Sequence, residues 1–518
     1  MHVLCLGSDN LAPALRAQGC RVSLAGPQAE ADLVCPARDP DWRDIEAAAQ
    51  AKGLVFDAVL VTDDIGRRTL PTGLSAAGPV TAFWALDAPL NRFWHFAYAG
   101  LFDLALFDQP TEAAAMAATH PASHWLPVAV DPQRYQSDAR PQSRAGACFV
   151  GVVDAGVRPK RSALLAKAAK ITSLAVRGGR QDQWFATADA ARLYREHQVV
   201  LNENLFAGLT TRPLEVMAAG GCLLSEAAPG TMDRHFSDLE HLAYFDPDSF
   251  EQKLEQLLGD HRLRLRLAEQ GRAAVRAGHS FRHRARQLLD HIVEMSKRPP
   301  EERPRARGGE ALRREGEALL LAGLRWPGPA GDPRLGRALG RLAAAARDGA
   351  DPLAASRGYG LAALNLGQGR PALEHLARAA QAGGEIDRLA WGLAAWQLGR
   401  SDLARQVFRG LPGLAGQPGE AGFHLEAAEI LRRSGQGLCP GFNRLGLPQA
   451  WWTALEHLLE ASRLRPADPV AWERLGDLLL AQAAPNQAHD CYLRARSLAP
   501  SPELAAKLAR AAREGYLA

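Results

Sequence analysis

Apolar runs and amphipathic stretches alternate through residues 1–140, an order that predicts strands of a parallel sheet wrapped by helices. Strands are expected at 2–6, 21–25, 57–61, 79–83, 103–107 and 124–128, with helices at 11–18 and 41–52 between them. A second series of the same kind begins near residue 145, where AGACFVG reads as a strand closing on Gly151. Further strands are expected at 173–177, 198–201 and 222–225, and helices at 188–197, 213–219 and 279–296. Both series read as Rossmann-like.

From residue 310 the pattern turns to helical periodicity rich in Ala, Leu, Arg and Gly, without strand signals. Trp472, Leu475, Gly476, Ala488, Tyr492, Ala495 and Pro500 fall at the spacing of a tetratricopeptide repeat. Weaker units in phase with it carry Gly360, Ala372 and Leu376, then Gly392, Ala404 and Phe408. Another carries Ala454, Leu458, Ala461 and Pro466, and is interrupted by a loop around 434–449. With an imperfect first unit at 310–350 and a capping helix at 502–516, about five stacked repeats are expected, enough to bury a continuous core. The stretch 297–309, KRPPEERPRARGG, has no apolar periodicity and reads as a linker. The expected fold class is α/β plus all-α, with Rossmann-like domains at 1–140 and 141–296, the linker, and a helical solenoid at 310–518.

Composition narrows the function only a little. A chain of 518 residues exceeds what one hydrophobic core serves, so several domains are expected. The balance of 61 basic against 57 acidic residues, a net +4, argues for neither nucleic acid nor an acidic membrane surface as partner. Seven cysteines without CxxC pairs or clustered histidines indicate neither a disulfide framework nor a metal site. The chain enters its first strand without a leader-like segment and has no apolar run of membrane-spanning length, so a cytoplasmic location is expected.

Candidate chemistry sits where strands end, because an open parallel sheet binds ligands outside the carboxyl ends of its strands. The first turn, Gly7-Ser8-Asp9, lacks the full GxGxxG fingerprint and speaks against a dinucleotide site. Gly7 fits either a ligand's approach to the backbone or a plain tight turn. Asp63 and Asp64 follow one strand, and Asp87 follows another, ahead of an aromatic run holding His95. A general base would stand at such an end, but aspartates also cap helices and aromatic runs also fill cores. Arg158, Lys160 and Arg161 gather at a helix entry, a place for a pyrophosphate or simply a solvated basic loop. In LNENLFAGLTTRPLEVMAAGG, Asn202 ends a strand, and Thr211, Arg212 and Glu215 lie at or in a short helix that Gly220 stops. Glu215 faces away from the apolar side, either toward a ligand or toward solvent.

The run LYREHQVVLNENLFAGLTTRPLEVMAAGGCLLSE, with PGTMDRHF and GHSFRHRARQLL after it, resembles the C-terminal domain of CgeB-type, spore maturation protein-like glycosyltransferases. CFVGVVDAGVRPKRSALL is similar to the entry of that domain, and FWALDAP and LPVAVDPQRY to the N-terminal domain and its exit. The likeness covers residues 1–296. It implies a two-domain GT-B enzyme that transfers sugar from a nucleotide-sugar donor without a bound metal or other cofactor, the acceptor lying on the N-terminal side. It also implies that Glu215 holds the ribose hydroxyls, while Arg212, Arg158, Lys160 and Arg161 neutralise the departing diphosphate, as fixed cations can. Asn202, Thr211 and Gly7 join the expected donor contacts, and Asp87 and His95 the expected catalytic ones. Ala207 stands where many GT-B enzymes carry a further glutamate.

The reading is a cytoplasmic glycosyltransferase of bacterial type whose repeats recruit a protein or peptide acceptor, with a homo-oligomer as an open possibility. The alternative is an interaction scaffold whose transferase domain has lost catalysis, a reading that Ala207 favours.

Overall fold

The computed structural model describes residues 1–63, 69–136, 145–155, 158–178, 186–325, 333–348, 351–414, 416–434 and 453–517. Contacts divide the chain into two compact units, Met1–Trp125 with Leu289–Leu475, and Leu126–Leu288 with Gly476–Ala518.

The first unit begins with β1 (His2–Gly7), α1 (Ala12–Ala17), β2 (Arg21–Gly26), β3 (Leu33–Val34), α2 (Trp42–Ala51) and β4 (Ala58–Thr62). It continues with β5 (Val80–Ala85), α3 (Ala88–Ala99), β6 (Leu104–Phe107), α4 (Pro110–Ala117) and β7 (Ser123–Trp125). The strands pair in parallel in the order β3-β2-β1-β4-β5-β6-β7. β4 and β5 are buried along their whole length, as the middle of a sheet covered on both faces demands, which is why unbroken apolar runs mark them.

Chain order reverses between β1 and β4, the place where an open sheet forms a ligand crevice. Gly7 sits there at φ 83°, and a Cβ on it would press into the Thr62 carbonyl oxygen. Gly7→Ala is therefore expected to destabilise the first unit by about 3 kcal/mol, read as a lowered urea midpoint. A midpoint equal to wild type would show that the two strand ends can part.

The second unit holds β8 (Ala145–Val150), α5 (Pro159–Ile171), β9 (Leu174–Arg177), α6 (Thr187–Glu196), β10 (His197–Asn202) and α7 (Thr211–Ala219). β11 (Leu223–Glu226), β12 (Ala243–Phe245), α8 (Phe250–Gly259) and α9 (His261–Gly278) follow. Its parallel strands run β12-β11-β10-β8-β9, so chain order reverses between β8 and β10. Cys5 in β1 and Cys148 in β8 are buried, and burial pushes both thiols up to about 12, as expected of core residues.

After α10 (Phe281–Ser296) the described chain is helical: α11 (Gly308–Arg325), α12 (Arg334–Asp348), α13 (Pro352–Asn365), α14 (Gly369–Ala382), α15 (Glu385–Gln397) and α16 (Ser401–Arg409). Then come α17 (Ala421–Arg433), α18 (Ala454–Leu464), α19 (Pro469–Ala481), α20 (Pro485–Leu498) and α21 (Pro502–Glu514). Glycines sit where neighbouring helices approach closely. A Cβ on Gly360 of α13 would lie 2.5 Å from Leu376 of α14, and one on Gly476 of α19 would lie 2.6 Å from Tyr492 of α20. One on Gly392 of α15 would collide with Phe408 of α16. The expected interrupting loop lies almost wholly outside the described residues. No helix among the described residues is long and apolar enough to cross a membrane.

Part of the stretch expected to be a linker, residues 303–306, is packed instead. Arg303 and Arg305 are buried, donate to the carbonyl oxygens of Gly78 and Ala77 at 3.1 and 2.6 Å, and flank the buried Asp103. The Ala306 amide donates to the Gly100 carbonyl at 2.8 Å. α11 then shares one core with the sheet, its Ala318, Leu319 and Ala322 clustering with Trp94, Tyr98 and Phe102.

Candidate active site

In the second unit, the carboxyl ends of β8, β10 and β11 gather three cations and two carboxylates. Phe149, near the end of β8, provides an aromatic floor. The Arg212 guanidinium lies 4.7 Å from its ring centre and that of Arg161 lies 5.1 Å from it. Arg161 Nε donates to Glu203 Oε2 at 2.8 Å, and its Nη1 to the Val152 carbonyl at 2.8 Å. Lys160 Nζ donates to Glu226 Oε1 at 2.6 Å and lies 4.0 Å from Glu203. Arg212 Nη1 donates to Asn202 Oδ1 at 3.1 Å. Burial, and then the charge of Arg161, lower the pKa of Arg212, so an anion arriving here would relieve two costs at once.

Local structure explains the convergence. α7 starts at Thr211, earlier than its proline suggests, and ends at Gly220 with φ 76°, whose amide donates back to Met217. Leu214, Val216, Met217 and Ala218 bury the inner face, which turns Arg212 toward the strand ends. Gly151, in the turn after β8, lies directly under Arg212: a Cβ there would come 2.5 Å from its Nη2. Asn202 is fully buried and donates to Asn204 Oδ1 and Ser225 Oγ, both at 2.9 Å, so its role is to brace the floor and Arg212. Asn204 in turn fixes Glu226 through its amide, at 3.0 Å.

Glu215 is half-buried rather than turned to solvent. The Tyr135 hydroxyl hydrogen-bonds to its carboxylate, and Tyr194 lies beside it. Burial raises its pKa, opposed by Tyr135, Arg212 and Tyr194. Arg158 is the half-exposed residue before α5, with its amide bonded to the Asp154 carbonyl at 2.6 Å, and Thr211 is exposed at the start of α7. The structure thus brings together Lys160, Arg161, Arg212 and Asn202 of the expected donor residues, with Glu215 beside Arg212. Sequence reasoning did not find the partners Glu203, Glu226, Phe149, Tyr135 and Tyr194. The polar triplet Asn202-Glu203-Asn204 at a strand end was the available signal for Glu203.

The first unit holds Gly7, Asp87 and His95. His95 has no exposed surface: its Nε2 pairs with Asp63 Oδ2 at 3.1 Å, and its ring packs edge-on to Phe83 and Trp94. In this conformation it is a core residue rather than a group that meets substrate. Asp87 precedes α3 at φ 49°, a left-handed conformation that aspartate tolerates better than most residues. The amides of Asp87 and Ala88 donate to the two oxygens of Asp108, at 2.8 and 3.1 Å. Burial and the nearby Asp87 hold the Asp108 carboxyl well above the usual range. Asp108 is therefore the helix-capping acid, and the half-buried Asp87 is a turn residue at the strand end. Asp64 lies outside the described residues.

Comparison with known proteins adds a likeness over part of the chain. Residues 160–290 match the family described as Glycosyl transferase-like. No curated protein matches the chain. Among solved structures, sucrose-phosphate synthase from Thermosynechococcus elongatus is 12% identical, over 57% of this chain and 99% of that one, with a TM-score of 0.39. HepE of Anabaena, solved in complex with UDP-glucose, is 11% identical, over 57% of this chain and 100% of that one, with a TM-score of 0.38. The pneumococcal O-GlcNAc transferase GtfA, in complex with UDP and GlcNAc, is 12% identical, over 49% of this chain and 60% of that one, with a TM-score of 0.34. Over residues 160–290 the chain is thus similar to glycosyl transferases, and Lys160, Arg161, Glu203, Arg212, Glu215 and Glu226 all fall within that stretch.

Proposed function

We propose that the protein is a GT-B glycosyltransferase that moves a sugar from a nucleotide-sugar donor to an acceptor, without a metal. The observation that carries this reading is the cluster of Lys160, Arg161 and Arg212 at the point of strand-order reversal, inside the glycosyl transferase-like stretch. A leaving nucleoside diphosphate develops negative charge, and cations fixed before it arrives stabilise that charge without reorganising. Glu215, beside Arg212, takes the ribose hydroxyls in this reading, and Arg158 and Thr211 line the approach. The helical half acts as a tetratricopeptide-like module that recruits a protein acceptor, and the protein works in the cytoplasm. The test is hydrolysis of a panel of UDP- and GDP-sugars by the full chain: release of nucleotide from one donor supports the proposal.

A second reading is a scaffold whose transferase domain is inactive. It is favoured by the pairing of Lys160 with Glu226 and of Arg161 with Glu203, which leaves these cations already neutralised. Calorimetry separates the two. Micromolar to millimolar binding of UDP or GDP belongs to the enzyme, and no heat with either belongs to the scaffold.

A further inference from the structure

Tyr516 follows α21 at φ 56°, a left-handed conformation that a bulky side chain seldom adopts. The turn is held from several sides. The Tyr516 amide donates to the Arg513 carbonyl at 3.1 Å, the Leu517 amide to Ala512 at 2.9 Å, and Asn486 Nδ2 of α20 to Gly515 at 3.0 Å. The ring is consequently turned onto the second sheet, where it is 3% exposed and packs near Phe245 and Phe250. Its hydroxyl donates to Glu226 Oε1 at 3.0 Å, the same oxygen that takes the Lys160 ammonium at 2.6 Å. Burial, with Glu226 beside it, raises the Tyr516 pKa far above its ordinary value, so the group stays protonated and acts as a donor.

We infer that Tyr516 is a positioning residue for the donor's diphosphate: it holds Glu226 in place so that the Lys160 ammonium can leave the carboxylate and meet phosphate. The inference rests on the sugar-transfer reading. A phosphate at Lys160 competes with Glu226 for one ammonium. Glu226 has a side chain only 13% exposed, and a buried carboxylate stripped of its partners is costly. With Tyr516 on Oε1 and the Asn204 amide on Oε2, the carboxylate keeps a donor on each oxygen while the lysine changes partners. Without the hydroxyl, Oε1 depends on Lys160 and holds it more tightly. Tyr516 thus acts through Glu226 and touches no substrate.

The test is Tyr516→Phe in the full chain, which keeps the ring and removes the hydroxyl. Calorimetry with whichever of UDP or GDP the wild type binds is expected to show roughly tenfold weaker affinity, the loss of one hydrogen bond to a charged group. The matching nucleoside, measured by competition, is expected to bind as to wild type, since it has no phosphate to meet Lys160. In a Glu226→Gln background, where residue 226 no longer holds the ammonium through a charge, adding Tyr516→Phe is expected to change diphosphate affinity less than about twofold. Unchanged diphosphate affinity in Tyr516→Phe overturns the inference, as does equal weakening of nucleoside and diphosphate, which marks a packing role. A wild type that binds neither nucleotide removes the sugar-transfer reading itself, a result distinct from both.

Discussion

Replacing Arg212 with alanine is expected to lower kcat/KM for the donor by about a hundred- to a thousandfold, the usual loss when one fixed group that stabilises developing charge is removed. Its guanidinium is lowered in pKa by burial and by Arg161, so the site holds its charge at a cost that a diphosphate would offset. The fold should tolerate the change. Asn202 loses one donor but keeps its own bonds to Asn204 and Ser225, and the buried face of α7 is untouched. Arg212→Lys is expected to recover only part of the activity, because an ammonium restores charge but not the planar contact with Phe149. Steady-state kinetics on the donor found in the hydrolysis screen, with circular dichroism to confirm folding, make the test. Wild-type turnover by a folded Arg212→Ala protein would place the diphosphate elsewhere.

Much of the architecture was legible because the middle strands of parallel sheets are buried on both faces. The runs at 57–61 and 79–83 became β4 and β5, shifted by a residue or two. β3 and β12 were missed as strands because Leu33–Val34 and Ala243–Phe245 are too short to carry a period, and each pairs with one neighbour at a sheet edge. The stretch 297–309 misled for a different reason. Arginine and proline in sequence signal solvent, yet an arginine can bury its stem when carbonyls and a carboxylate meet its head. Asp103, Ala77 and Gly78, which receive Arg303 and Arg305, lie about two hundred residues away, and no local pattern announces them.

The site divides along the same line. Arg212 and the Arg161 loop were readable because helix entries after strands are where such sheets bind anions. Their counter-charges were not: Glu226 answers Lys160 from β11, and Tyr516 answers Glu226 from beyond α21. Such pairs are set by the fold. Glu215, read as facing a ligand or solvent, likewise met Tyr135 and Tyr194, which come from a 3-10 turn and from α6. His95 shows the reverse case, a titratable residue at a promising sequence position that the aromatic run around it carries into the core.

Asp39→Ala is expected to destabilise the first unit by about 3–5 kcal/mol, the cost of stranding a buried charge. Arg334, at the start of α12, grips Asp39 with two bonds, Nε to Oδ2 at 2.8 Å and Nη2 to Oδ1 at 2.6 Å, and both side chains are 1% exposed. Arg337 adds a bond of 2.7 Å, and the Leu70 amide donates to Oδ1 at 2.8 Å. Removing the carboxylate takes two bonds from Arg334 and leaves the Leu70 amide without its acceptor. Exchanging the pair for apolar side chains, Asp39→Leu with Arg334→Met, is expected to recover a large part of the loss, since the fully buried charge is then gone and Arg337, whose side chain is 32% exposed, can reach solvent. Urea unfolding of the three proteins decides it, and an Asp39→Ala midpoint equal to wild type would show that the pair contributes nothing. The same contacts set where the chain can be cut. α12 holds Asp39, and α11 and α12 complete the core around Trp94 and Tyr98, so a chain ending at residue 309 bares that core and is expected to lose cooperative unfolding altogether.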